Sequence, residues 1–329
     1  MPTNLPPDYY ELEKRFRSAE SAAEKADLLE QMYSVVPKHK GTDHLRADLR
    51  RQLSRLKDEA QQARKKHGGH ASTYSIAKEG AGQAALIGAA NTGKSALVRV
   101  LTNAEPEVSD APYSTWSPTP GMMPVENVQI QLIDTPPTGG EFVEPGLFDL
   151  VRKADLTLLV VDLQADPLGQ LEQTLDQLAE HRIAPLGQEA HYAGRERMTF
   201  VPLIILANKC DDESLDDDLQ VLCELFDGPC PLQPVSAATG RHLDQFKQRV
   251  FAALRVIRVY PRPPGQEPDL QKPFVLKEGS TIADLAAKVH RDFVEHLKSA
   301  RVWGSAAFPG QMVQKDYVLH DGDIVELKV

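Results

Sequence analysis

The chain has 329 residues, a formal net charge of −10, 41% hydrophobic residues and 26% charged ones. That balance excludes a fibrous or globally disordered chain and predicts two or three packed domains. Three cysteines, Cys210, Cys223 and Cys230, form no Cys-x-x-Cys pair, which excludes a disulfide framework or zinc site and fits a reducing cytoplasm.

Residues 1–10 hold prolines and an acid where a signal peptide needs a basic and then an apolar stretch. Leu12, Phe16, Ala19, Ala23 and Ala26 then recur at helical spacing, and Leu45, Leu49, Leu53 and Leu56 repeat it after a break containing Pro37 and Gly41. Two helices on a short connector predict an antiparallel hairpin, closed by Gly68 and Gly69. Its second arm is basic: Lys40, Arg46, Arg50, Arg51, Arg55, Lys57, Arg64 and Lys65 lie between Lys38 and Lys66, against Asp43, Asp48, Asp58 and Glu59. Such an arm is either an RNA-binding surface or simply the solvated face of the hairpin.

Strands are predicted at 83–88, 128–133, 156–162 and 201–208, with helices at 94–101, 171–179 and 243–254. The alternation implies an α/β unit with a mostly parallel sheet covered on both faces. The apolar runs 156–161 and 201–207 are far shorter than a membrane span, so no membrane is expected as a partner. Residues 260–273 are rich in proline and read as a linker or an irregular inter-strand loop. Beyond them come a strand at 274–276, a helix at 282–296, a strand at 301–303 and a final hairpin turning at Asp321 and Gly322, with 324–329 as its second strand. The expected domains are 1–80, 81–256 and 257–329.

Gly88, Ala89, Ala90, Asn91, Thr92, Gly93, Lys94 and Ser95 match the P-loop pattern, with a strand before and a helix after. Glycines let the loop amides turn towards phosphate oxygens at a helix N-terminus. Lys94 is expected to reach the β- and γ-phosphates and Ser95 to ligate Mg²⁺. Asp134, closing a strand, is the candidate second Mg²⁺ residue. Residues 113–121 form a polar, proline-rich loop suited to folding over the γ-phosphate, with Thr115 as the hydroxyl completing the Mg²⁺ shell. Asn208, Lys209 and Asp211 follow a strand at its carboxyl end. Asp211 can accept from the N1–H and exocyclic amine of guanine, a donor pair adenine lacks. Ser236, Ala237 and Ala238 can offer backbone amides to the guanine oxygen. With Ala96 these residues make up the expected nucleotide-binding set, and Asn91, Lys94 and Thr115 the catalytic one.

These motifs resemble the Obg-like GTPases, in the branch called developmentally regulated GTP-binding proteins, over nearly the whole chain. The resemblance is carried by the basic hairpin, Asn91, residues 113–121 and the run from Asn208 to Asp211. Residues 258–265, then Val302, Trp303 and Gly304, then His320 to Asp323 are similar to the TGS domain, a ubiquitin-like β-grasp module. The expected class is therefore α/β: a P-loop GTPase domain with an N-terminal helical hairpin and a C-terminal β-grasp (TGS) domain. The resemblance implies slow GTP hydrolysis, Mg²⁺, K⁺ held at Asn91, association with ribosomes, ribosomal RNA or tRNA, and a regulatory protein on the TGS domain. Two departures stand out. The family's Asp-x-Pro-Gly ends in Pro137, which has no amide hydrogen, leaving Gly139 or Gly140 to replace it. The segment between Asp134 and Asn208 also has no room for the extra domain of eukaryotic relatives.

Three readings follow: a translation-associated GTPase switch; a module that hydrolyses little and is gated by GTP, GDP or an alarmone; and a P-loop ATPase, which Asp211 disfavours. Trp303 reads as a core anchor rather than a base-stacking platform.

Overall fold

The computed structural model describes residues 74–102, 118–138, 143–226, 228 and 230–328. The helical hairpin, its basic arm, Thr115 with the rest of 113–117, and Gly139 and Gly140 lie outside the described residues.

The first sheet is built on β1 (Gln83–Ile87), β2 (Thr119–Val125), β3 (Val128–Asp134), β4 (Leu156–Asp162), β7 (Leu203–Asn208) and β8 (Leu232–Pro234), in the order β2-β3-β1-β4-β7-β8. All neighbours pair in parallel except β2 and β3. A strand buried on both faces has no polar side to alternate with, which is why β1, β4 and β7 read as continuous apolar runs. Their side chains divide by parity. Ala84, Leu86, Leu158, Val160, Ile204 and Leu206 face a core closed by α1 (Lys94–Leu101) and α5 (Leu243–Ala253). Ala85, Ile87, Leu159, Val161, Ile205 and Ala207 face the core beneath α2 (Pro145–Lys153), α3 (Pro167–Glu180) and α4 (Asp216–Leu225). Each Leu, Ile or Val among them contributes roughly 1.5–3 kcal/mol on burial.

Two differences from expectation concern this sheet. Thr119, Pro120 and Gly121 were read as loop but begin β2, an edge strand on which prolines are tolerated because one row of amides needs no partner. The apolar run at 201–208 is split at Pro202: Val201 ends β6 (Thr199–Val201), which pairs with β5 (Ile183–Pro185) in a separate two-stranded sheet.

Two residues, Leu254 and Arg255, separate α5 from β9 (Val256–Pro261). The second sheet has the order β10-β9-β13-β11-β12, with β10 (Phe274–Lys277), β11 (Ser299–Trp303), β12 (Gln311–Val313) and β13 (Ile324–Lys328). β9 and β13 pair in parallel and the other neighbours antiparallel. The proline-rich stretch is thus the loop between β9 and β10, not a linker between domains. Helix α6 (Ile282–Val289) packs Ile282, Leu285 and Ala286 on one sheet face. Thr281 and Asp284 form a reciprocal capping box at its start. The helix expected to run to 296 breaks at His290, whose backbone is extended, and resumes as α7 (Arg291–His296).

Asp321 and Gly322 do turn the chain, but not in a hairpin: β13 pairs with β9 and β11 instead of folding back. Trp303 is not a core anchor. On β11 the inward positions are Ala300 and Val302, and Trp303 points to the opposite face, half-buried, with the Arg262 guanidinium 4.8 Å above its ring.

The two sheets join through charged contacts. Arg258 pairs with Glu126 in the β2–β3 turn and with Asp321, at 2.7 Å, and lies 4.9 Å over the Phe251 ring. Asn127 donates to the Tyr260 hydroxyl at 2.7 Å and to the Leu270 carbonyl at 3.0 Å. Inside the second sheet the buried Asp323 accepts from the Ser305 amide (2.7 Å) and hydroxyl (2.8 Å) and from the His320 amide (2.9 Å). Asp323→Ala strands these donors without an acceptor and is expected to lower stability by about 2–3 kcal/mol. Urea denaturation followed by circular dichroism checks this, and an unchanged midpoint would contradict it.

Candidate nucleotide site

Strand β1 feeds a loop that only particular residues can form. Gly88 sits at φ +142°, and a Cβ there would lie 2.3 Å from the Val160 carbonyl oxygen. Gly93 sits at φ +89°, and its Cβ would lie 2.3 Å from Asn208 Nδ2. Asn91, at φ 62°, is in the left-handed region that asparagine tolerates better than most residues. The chain leaves β1 for β3 on one side and returns to β4 on the other, so the loop opens into the crevice where strand order reverses.

Lys94, the first residue of α1, is buried, and its Nζ donates to the carbonyls of Gly88 (3.0 Å) and Ala89 (2.7 Å). Burial lowers its pKa to about 8, against the opposing attraction of Asp134. The ammonium is therefore held over the loop in an environment poor in compensating charge, the state that an incoming phosphate would relieve. Thr92 is fully buried and its hydroxyl donates to Ala89 O at 3.1 Å. Ser95 and Ala96 occupy the first turn of α1, half-exposed.

Asp134 ends β3 with its side chain fully buried. Its Oδ2 accepts from Ser95 Oγ at 2.5 Å, and Oδ1 is buried with no hydrogen-bond partner among the described residues. Burial raises its pKa, offset by Ser95, Lys94 and the Thr135 amide. A carboxylate and a hydroxyl side by side, with one buried oxygen unused, are the donor set of a small hard cation, so these residues fit Mg²⁺. Asn91 is exposed, and its side chain makes no hydrogen bond to the described residues. After Thr135, Pro136 and Pro137 have no amide hydrogen, and the next amide, that of Thr138, is already taken, donating to Gly88 O at 3.0 Å. The buried Thr138 hydroxyl lies 3.5 Å from that of Thr174.

Asn208 connects this loop to the far end of the crevice. It is 1% exposed; Nδ2 donates to Thr92 O at 2.8 Å and Oδ1 accepts from the Ala237 amide at 3.3 Å. Lys209, at φ 64°, pairs through Nζ with Asp162 Oδ2 at 2.6 Å. Asp211 Oδ1 accepts from Ser236 Oγ at 2.6 Å, and Ser236 Oγ itself accepts from the Thr239 amide at 3.0 Å. Ala237 is half-exposed and Ala238 exposed in the same loop.

The structure thus brings the expected residues from 88–96, Asp134, 208–211 and 236–238 to one edge of the sheet; Thr115 lies outside the described residues. Two participants were not anticipated. Asp162 pairs with Lys209, and as an acid ending an apolar strand it carried a readable signal. Gln164 donates to Asp211 Oδ2 at 3.0 Å and to Lys209 O at 2.8 Å, and nothing in its sequence context marks it.

Residues 83–209 match the family described as 50S ribosome-binding GTPase, and residues 257–329 match the TGS domain. The chain is a GTP-binding protein of the Obg-like superfamily. An uncharacterised GTP-binding protein of Methanocaldococcus jannaschii is 29% identical to it, over 93% of this chain and 92% of the relative. Developmentally-regulated G-protein 2 of Arabidopsis thaliana is 24% identical, over 92% of this chain and 90% of the relative. The YchF GTPase of Schizosaccharomyces pombe has the same fold, with a TM-score of 0.54 at 16% identity over 77% of this chain and 99% of the other. No helix among the described residues of this Obg-like protein is long and apolar enough to cross a membrane.

The buried Lys94 has a consequence for the nucleotide-free protein. Its folded pKa, about 8, lies below the ordinary 10.5, so between those values the unfolded chain binds more protons and stability rises with pH. A gap of that size is worth roughly 3 kcal/mol, a penalty fully present below pH 8. Relative to Lys94→Met, the wild-type protein should therefore gain resistance to urea between pH 7.5 and 10. A difference that stays flat across that range would contradict the assignment.

Proposed function

We propose that this protein hydrolyses GTP and acts as a nucleotide switch on the translation machinery. The observation that carries the reading is Asp211: its carboxylate is held by Ser236 at the same sheet edge as the Lys94 loop, placed to read guanine while the phosphates lie on the loop. In this reading the amides of residues 88–96 cradle the phosphates, Lys94 leaves its loop carbonyls for the β- and γ-phosphates, and the side chain of Lys209 lies along the base. Of Ser236, Ala237 and Ala238, it is the Ala238 amide that faces the guanine oxygen, because the Ser236 amide donates to Arg241 O at 3.1 Å and the Ala237 amide to Asn208 Oδ1 at 3.3 Å. Ser95, Asp134 and Thr115 would hold Mg²⁺, which neutralises charge on the phosphates. Asn91 would hold K⁺, whose charge would stand where other GTPases use an arginine.

The domains assigned are the helical hairpin 1–80, the GTPase domain 81–256 and the TGS domain 257–329, in a cytoplasmic protein. Support for a ribosomal partner comes from the description of the matched family and from the basic arm between Lys38 and Lys66. The outward face of the TGS sheet, with Trp303 beneath Arg262 and Met312 57% exposed, is the surface offered to RNA or to a regulatory protein. A second reading, in which guanine nucleotides gate binding with little turnover, is favoured by Pro136 and Pro137 and by the Thr138 amide already bonded to Gly88.

GTP turnover in potassium against sodium buffer, with Lys94→Ala as background and ATP as competitor, separates these readings. Lys94-dependent hydrolysis stimulated by potassium and resistant to ATP is expected. Tight GTP binding without turnover in either salt would establish the gated module instead. Affinity for ribosomal RNA should fall steeply with salt and drop when Arg50, Arg51 and Arg55 are replaced by alanine. A salt-independent affinity would remove the arm from the interface.

A further inference from the structure

The Asp211 carboxylate is not held by Ser236 alone. Beyond the end of β4, the chain turns so that the Gln164 amide donates to Asp162 Oδ1 at 3.0 Å, while Asp162 Oδ2 takes Lys209 Nζ at 2.6 Å. The Gln164 side chain then reaches across, and its Nε2 donates to both Lys209 O (2.8 Å) and Asp211 Oδ2 (3.0 Å). These bonds close a ring through Asp162, Gln164 and Lys209 that ends on one carboxylate oxygen of Asp211. On the other oxygen ends the chain from the Thr239 amide through Ser236 Oγ.

We propose that Gln164 is a positioning residue for guanine specificity, holding the Asp211 carboxylate in the plane that lets it accept two hydrogen bonds from the base at once. The inference rests on the reading of Asp211 as the guanine acceptor. An ionised carboxylate accepts about four hydrogen bonds, so one donor on each oxygen leaves each with capacity for a base donor. Rotation about the Cβ–Cγ bond of aspartate is soft, with no sharp staggered wells to fix the plane. Two donors of opposite provenance, one on each oxygen, supply the restraint that the torsion lacks. A base offering a single donor can follow a rotated carboxylate, whereas a base offering two parallel donors cannot. Gln164 therefore acts on discrimination more than on binding as such. It is exposed and belongs to no core, so replacing it leaves the fold intact.

The test compares GDP with inosine diphosphate, which lacks the exocyclic amine, as ligands of the full-length protein by isothermal calorimetry. Gln164→Ala is expected to weaken GDP about tenfold, equivalent to about 1.4 kcal/mol, and inosine diphosphate by much less, so that their affinity ratio shrinks. Gln164→Glu, which sets a second carboxylate against Asp211 and cannot donate, should weaken GDP further still. Equal losses for the two ligands, or no loss of GDP affinity in either variant, would overturn the proposal. Asp211→Asn is the control for the underlying reading. If that variant keeps the preference for GDP, the base site is misassigned and the inference falls with it. If it loses the preference while Gln164→Ala keeps it, only the role of Gln164 falls.

Discussion

The buried side chain of Asn208 ties the phosphate end of the crevice to the base end. Its amide supplies one donor and one acceptor at a fixed separation, and both are used across chain distances that no local turn could bridge: the donor on Thr92 of the P-loop, the acceptor on the Ala237 amide. Aspartate could not donate to Thr92, and leucine would leave both backbone groups without partners in a site closed to water. The contact is tight enough that residue 93 has no room for a Cβ. Geometry at the base and geometry at the phosphates are thus one problem with one solution, set by a residue whose own site is 1% exposed.

Around that tie, polar groups are arranged in graded burial. Asp134 and Thr92 are fully enclosed and Lys94 nearly so, while Asp211 and Lys209 are half-exposed, where a ligand can reach them. The enclosed groups bear the cost of desolvation, visible in the lowered pKa of Lys94 and the raised one of Asp134. The more exposed groups are oriented instead by hydrogen bonds, Asp211 accepting from Ser236 and Gln164 and Lys209 donating to Asp162.

What the sequence disclosed follows from which residues obey a local rule. β1, β4 and β7 announce themselves because double burial forces an unbroken apolar run, and the P-loop and the run from Asn208 to Asp211 because backbone approach and base recognition each demand a residue type at a fixed spacing. β2 escaped because an edge strand with Pro120 and Pro124 looks like a loop until its pairing with β3 is known. The direction of Trp303 was misjudged because an aromatic in a strand carries no label for which face is core; that is set by Ala300 and Val302 packing against α6. Gln164 was invisible for a different reason. Its side-chain partners, Lys209 and Asp211, lie in the loop beyond β7, the neighbour of β4, so its role exists only in the sheet order.

The parallel pairing of β9 with β13 carries a consequence for how the second sheet forms. Val325 pairs beside Pro261, so the central contact of this sheet joins chain segments some sixty residues apart, whereas the β9–β10 and β11–β12 pairs are closed by much shorter connections. The entropy of closing so long a loop precedes any gain from the ladder. Strand β9, however, follows α5 after only two residues, and Val256 is already packed into the core of the first sheet. The core of the first sheet therefore fixes the start of β9, the strand on which both β10 and β13 pair.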